Sequence, residues 1–158
     1  MFWIKNEHFC HRAAAQSAIK IIAILVGLSA CTPTFNWREV RFDQAGVTAL
    51  LPCKPDRAVR VVQLAGQQVS TNMAGCEAGG AMFTAALFEV PTGAAMTAVE
   101  RELKATSKAT HSKILQHGSF LAQVAIYGRP QEGRDGPGAL SSQAVETFLS
   151  NLTMAGSK

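Results

Sequence analysis

The side chains able to do chemistry in this chain are few and widely spaced. His111 and His117 lie six apart, Gly118 is followed by Ser119, glycines recur from Gly128 to Gly138, and Lys54, Arg57 and Arg60 form a short basic cluster. Two imidazoles of equal parity can share one strand face, but Gly118 ends that strand, so they read as surface histidines and no metal site is expected. Gly118-Ser119 lacks the G-x-S-x-G elbow that presents a nucleophile. The glycines lack a Lys-Ser/Thr pair and a preceding strand-to-helix junction, so they do not build a phosphate loop. Glu100 and Glu102 read as solubilising charges on a helix. Lys54, Arg57 and Arg60 are candidate contact residues for lipid headgroups or a partner, the alternative being a solvated hairpin edge. No catalytic set assembles, so no enzymatic activity and no cofactor are expected.

The first thirty residues place the chain before its chemistry does. Lys5, Arg12 and Lys20 against Glu7 precede the apolar stretch Ile21 to Ala30, which ends in small residues. That is the layout of a secretory signal. Ten helical residues span about 15 Å, half of a ~30 Å hydrocarbon core, and extending the stretch back to Ala13 would bury Lys20. A retained, uncleaved transmembrane anchor is the alternative. The residues Leu28-Ser29-Ala30-Cys31 resemble the lipobox of bacterial lipoprotein precursors. The resemblance implies cleavage before Cys31, diacylglyceryl transfer to its thiol, and usually acylation (palmitate or a similar chain) of its amine. Two or more acyl chains hold a protein stably on a membrane. In the enteric pattern an Asp after the lipidated Cys signals retention in the inner membrane; Thr32 there implies transfer to the cell outer membrane. The long leader leaves open a start downstream of Met1. The expected organisation is a signal peptide over 1–30, a short tether over 31–36 and one domain over 37–158.

With Cys10 in the leader and Cys31 assigned to lipid by the resemblance, Cys53 and Cys76 remain. A pair of thiols in an oxidising compartment reads as a disulfide, with free buried thiols as the alternative. It would close a loop of 22 residues, worth roughly 3 kcal/mol. Neither a C-x-x-C redox spacing nor neighbouring zinc ligands are present.

Those residues need a scaffold, and the periodicity predicts one. Trp37 to Phe42 and Val47 to Leu51 read as strands around an Asp43-Gly46 turn, with Pro52 and Pro55 enforcing an irregular segment between. Val59 to Leu64 and Gln68 to Met73 flank Ala65-Gly66-Gln67 as a hairpin, with Cys76 beyond its exit. Ala81 to Val90 is apolar on both parities, a central strand. Ala94 to Lys108 changes to helical period, with Met96, Val99 and Leu103 on one face. A second hairpin turns at Gly118, a Gly-rich charged loop spans Gln131 to Gly138, and Ser141 or Ser142 caps a final helix carrying Val145, Phe148, Leu149 and Leu152. The expected class is α+β: an antiparallel sheet with a helix after the central strand and a C-terminal helix packed on it. The run Gly46-Val-Thr-Ala-Leu-Leu-Pro-Cys-Lys-Pro55 with Val145-Glu-Thr-Phe-Leu-Ser150 loosely resembles PsbP/Mog1-like domains. Leu50 to Pro55 with Gly75-Cys-Glu-Ala-Gly-Gly-Ala-Met-Phe83 is similar to a group of uncharacterised proteobacterial envelope proteins, a resemblance that implies no activity.

The chain has 158 residues, 47% hydrophobic and 16% charged. That suits one domain and excludes disordered, coiled-coil and multi-span membrane classes. Removing residues 1–30 leaves 12 basic and 10 acidic residues, a net charge of +2, which makes no case for nucleic acid. The expectation is a lipid-anchored, non-catalytic accessory or scaffold module facing the periplasm, with an envelope protein as possible partner. A periplasmic binder of a small apolar ligand is the first alternative, and a hydrolase with cryptic residues the second.

Overall fold

In the computed structural model, residues 35–128 and 140–154 are described. Cys31, residues 1–30 expected as a signal peptide and the Gly-rich stretch 131–138 expected as a loop lie outside the described residues.

β1 (Arg38–Phe42) alternates exposed and buried side chains, Val40 and Phe42 turning inward while Glu39 and Arg41 face water. The Asp43–Ala45 turn of 3-10 helix and the left-handed Gly46 reverse the chain into β2 (Val47–Leu51), which pairs antiparallel with β1. After Pro52 the chain changes direction into β3 (Asp56–Leu64), then β4 (Gln67–Ala78) and the central β5 (Ala81–Glu89). The β3–β4 turn has only two residues, Ala65 and Gly66, at φ 50° and 75°. A tight hairpin of matching twist needs positive φ at both, and only one of them is a glycine. Helix α1 (Ala94–Thr106), β6 (His111–His117), β7 (Phe120–Tyr127), α2 (Ser142–Ser150) and β8 (Thr153–Met154) complete the described elements. Ser141 caps α2, its Oγ accepting from the Ala144 N–H at 3.2 Å.

The fold is α+β, and its strands form two antiparallel sheets: β1-β2-β8, and a five-stranded sheet in the order β3-β4-β5-β7-β6. The expectation of one sheet is corrected here. Pro52 to Pro55 breaks the path so that β2 never joins β3, and β8, two residues following a helix, is too short to leave a period in the sequence. One face of the large sheet is covered by α1, whose Met96, Val99 and Leu103 pack with Val69, Phe88 and Leu121. The other is covered by the small sheet and α2, with Val40, Phe42, Leu51 and Phe148 meeting Phe83, Leu87 and Val124. Covering both faces explains why β5 is apolar on both parities although the sheet is antiparallel. Phe148 meets Phe83 edge to face, ring centroids 5.1 Å apart.

The Cys53–Cys76 disulfide is present, with Cα atoms 5.9 Å apart. Cys76 lies inside β4, opposite Phe83 of β5, not beyond the hairpin. The bridge therefore joins the exit of the small sheet to the interior of the large one.

Candidate functional site

Lys54 follows the disulfide, and Arg57 and Arg60 stand on β3, an edge strand of the large sheet; all three are exposed. Residues of opposite parity on a strand face opposite ways, so Arg57 and Arg60 do not share a face. They form a line along an edge, not one cluster. Arg57 is also bound into the fold: its Nη1 and Nη2 donate to the Arg41 carbonyl at 3.3 and 3.4 Å, and its guanidinium lies 5.8 Å from the Phe42 ring centroid. Arg41 in turn pairs with Glu39, and that hydrogen bond, with the Glu39 charge, holds its pKa above the ordinary value. Lys54 and Arg60 have no carboxylate within ion-pair distance among the described residues.

Two further features mark this edge. Val59 and Val61 are 72% and 67% exposed, the most exposed large hydrophobic side chains described. Arg57 and Arg60 also line a hollow of about 360 Å³ together with the carboxylate of Asp56 and with Ala58, Gly75 and Met82 among others. The chain enters close by, where the Asn36 N–H donates to the Pro52 carbonyl at 2.7 Å.

A second candidate lies at the other edge of the large sheet. A groove of about 620 Å³ runs between β6 and α2, lined by His111, Lys113, Leu140, Val145, Glu146 and Leu149 among others. Its apolar wall is the half-buried part of the α2 stripe, since Ala144 and Phe148 are buried whereas Val145 and Leu149 remain partly open. Lys113 Nζ donates to the Leu149 carbonyl at 3.1 Å, fixing β6 to the end of α2. The grouping of His111 with Glu146 was not legible in the sequence, because it depends on how α2 docks. Among the described residues no hydrogen bond links His111 or Glu146 to Ser142 or Ser150, the two serines that also line the groove. His111 and His117 do share parity on β6, but six residues at ~3.3 Å each put them about 20 Å apart, too far for one ion. Among the described residues no three His, Cys, Asp or Glu side chains come together in a metal-holding group.

Glu102 has a structural role that the sequence reading missed. Its Oε2 accepts the N–H of Ala65, the positive-φ residue of the β3–β4 turn, so α1 holds the hairpin tip. Glu100 pairs with Lys104 at 2.6 Å along the same helix. Among the described residues no helix is long and apolar enough to cross a membrane. No protein-family model, curated protein or solved structure matches the chain.

Proposed function

We propose that this chain is a lipid-anchored envelope lipoprotein, a non-catalytic accessory module facing the periplasm, held through Cys31 and more suited to the outer than the inner membrane. The observation that carries the reading is the run Leu28-Ser29-Ala30-Cys31 at the end of the apolar stretch. Two structural facts support it. A disulfide between the two remaining cysteines fits an oxidising compartment. The Asn36–Pro52 hydrogen bond fixes the chain's entry five residues after Cys31, a segment that reaches at most ~18 Å extended. In this reading the helix after the central strand and the C-terminal helix pack on opposite faces of the large sheet and leave the β3 edge, with Lys54, Arg57 and Arg60, as contact surface. Intact mass of the membrane-bound product tests it: loss of residues 1–30 and gain of acyl mass on Cys31 is the expected result. An unmodified Cys31 in an uncleaved chain replaces it with a transmembrane anchor.

The groove between β6 and α2 favours a second reading, a binder of a small apolar ligand. Val145, Leu149 and Leu140 supply an apolar wall, and His111, Lys113 and Glu146 a polar rim. The groove is open to solvent, so a ligand there would be part-exposed. Neither a Leu149→Asp change in function nor co-purification of an apolar molecule is expected if the accessory reading holds.

A further inference from the structure

We infer that the β3 edge, from Lys54 to Val61, docks on the anionic phospholipid surface of the membrane that carries the protein. The inference deepens the proposed function and rests on its placing the domain beside a membrane.

Charge selects the partner. Residues 35–64 hold five Lys or Arg and three Asp or Glu, whereas the other described residues hold four and five. The positive excess thus belongs to the small sheet and β3. Glu39 is paired with Arg41, and among the described residues neither Lys54 nor Arg60 has a carboxylate within ion-pair distance; with the exposed Asp56 counted, the segment 54–61 carries three cations and one anion, a net +2. The β3 part of the line, Asp56 to Val61, is five steps of ~3.3 Å, or about 17 Å, with Lys54 two residues before it. Such a strip suits an extended plane of headgroups better than a single small anion.

Val59 and Val61 share the parity of Arg57 and lie on the face turned from α1, where nothing described covers them, whereas Arg60, opposite Thr71, lies on the α1 face of the same edge. A bilayer met edge-on by β3 touches both sides of the strand, so an interface that offers negative headgroups and the edge of the acyl layer receives Arg60 from one side and the two valines from the other. Strand propensity accounts for valine at these positions, but two of them bare on an edge leave an apolar surface of the kind that edge strands usually blunt with charge. The chain enters at the Lys54 end, where Asn36 is bonded to Pro52. A tether rooted there brings this end of the strip to the bilayer first.

The test uses the membrane-anchored protein reconstituted into vesicles of phosphatidylcholine alone or with phosphatidylglycerol, carrying an environment-sensitive dye at Val61→Cys. A control carries the dye at Lys108→Cys, beside Gln123 and Tyr127 and away from β3. The expected result is a blue shift at position 61 in the anionic vesicles only, reversed by high salt, with position 108 unchanged. Each of Lys54→Gln and Arg60→Gln should lower the docked-to-free ratio about fivefold, the effect of one cation near a charged surface. A position 61 equally wet in both vesicles overturns the inference. So does a shift that tracks protein density rather than phosphatidylglycerol, which would assign the edge to a second copy of β3, or an equal shift at both positions. Mass analysis of Cys31 on the same sample judges the anchor separately, so loss of either conclusion leaves the other measurable.

Discussion

Thr71 sits on β4 with 1% of its surface exposed, and among the described residues its Oγ1 has no hydrogen-bond partner. A buried hydroxyl without a partner costs about 1–3 kcal/mol relative to hydration; on this face Thr71 is opposite Phe88 on β5 and the exposed Arg60 on β3, with apolar Val69 two residues before it. Thr71→Val keeps the branched shape and removes the penalty. We expect a gain of about 1 kcal/mol, read as a higher midpoint in urea unfolding with unchanged slope. The opposite sign is expected at Glu102, whose carboxylate holds the Ala65 N–H. Glu102→Ala should lose about 1 kcal/mol, whereas Ala65→Asn, which tolerates positive φ, should recover part of the left-handed cost of about 1 kcal/mol. None of this was legible from residue types alone. A threonine in a strand and a glutamate on a helix are ordinary, and only tertiary contact makes one a liability and the other a tie. The three cations were legible as exposed, but not that Arg57 is bound to the Arg41 carbonyl while Arg60 faces the other way.

At the level of elements, hydrophobic period located most of the strands and both helices, because strands buried on one or two faces and helices lying on a sheet leave distinct spacings. It failed where position depends on partners. The small sheet reads in sequence like two more strands of the large one, and Thr153–Met154 carries too few residues to show any period. The strand pattern read from the sequence stops at Met73, which leaves Cys76 beyond the hairpin, yet β4 runs on to Ala78. A Cβ at Gly75 would come within 3.2 Å of the Phe83 carbonyl, so the glycine marks close packing against β5 and not a turn. The cysteine pairing itself was readable by elimination. Its consequence follows from where it lies: the bridge crosses between sheets, so Cys53→Ser should let the small sheet separate more easily from the large one. The expected loss is roughly 3 kcal/mol from the loop-entropy term. The thermal midpoint of oxidised wild type should fall to that of the variant on reduction, and equal midpoints before reduction would show that the bridge is not formed in solution.

For the whole molecule the governing quantity is the distance between anchor and β3 edge. Contacts from a few surface cations are weak and screened within ~8 Å at physiological salt, so docking depends on how strongly the tether concentrates the domain at the surface. In the proposed lipoprotein only Thr32 to Asn36 separate Cys31 from Trp37, and Asn36 is already fixed to Pro52. Inserting about twenty Gly/Ser residues after Pro33 lengthens a five-residue tether about fivefold. With effective concentration falling as roughly the −3/2 power of length, the docked-to-free ratio should drop about tenfold. The fold has no reason to respond, since Phe35 and Trp37 still pack on the core and the Asn36–Pro52 bond lies beyond the insertion. The measurement is the dye signal at Val61→Cys in anionic vesicles, paired with the thermal midpoint of the same sample. Loss of signal at constant midpoint is the expected outcome. A signal indifferent to tether length would mean that the edge binds tightly enough without the anchor, and a falling midpoint would mean that the entry strand, not proximity, had been disturbed.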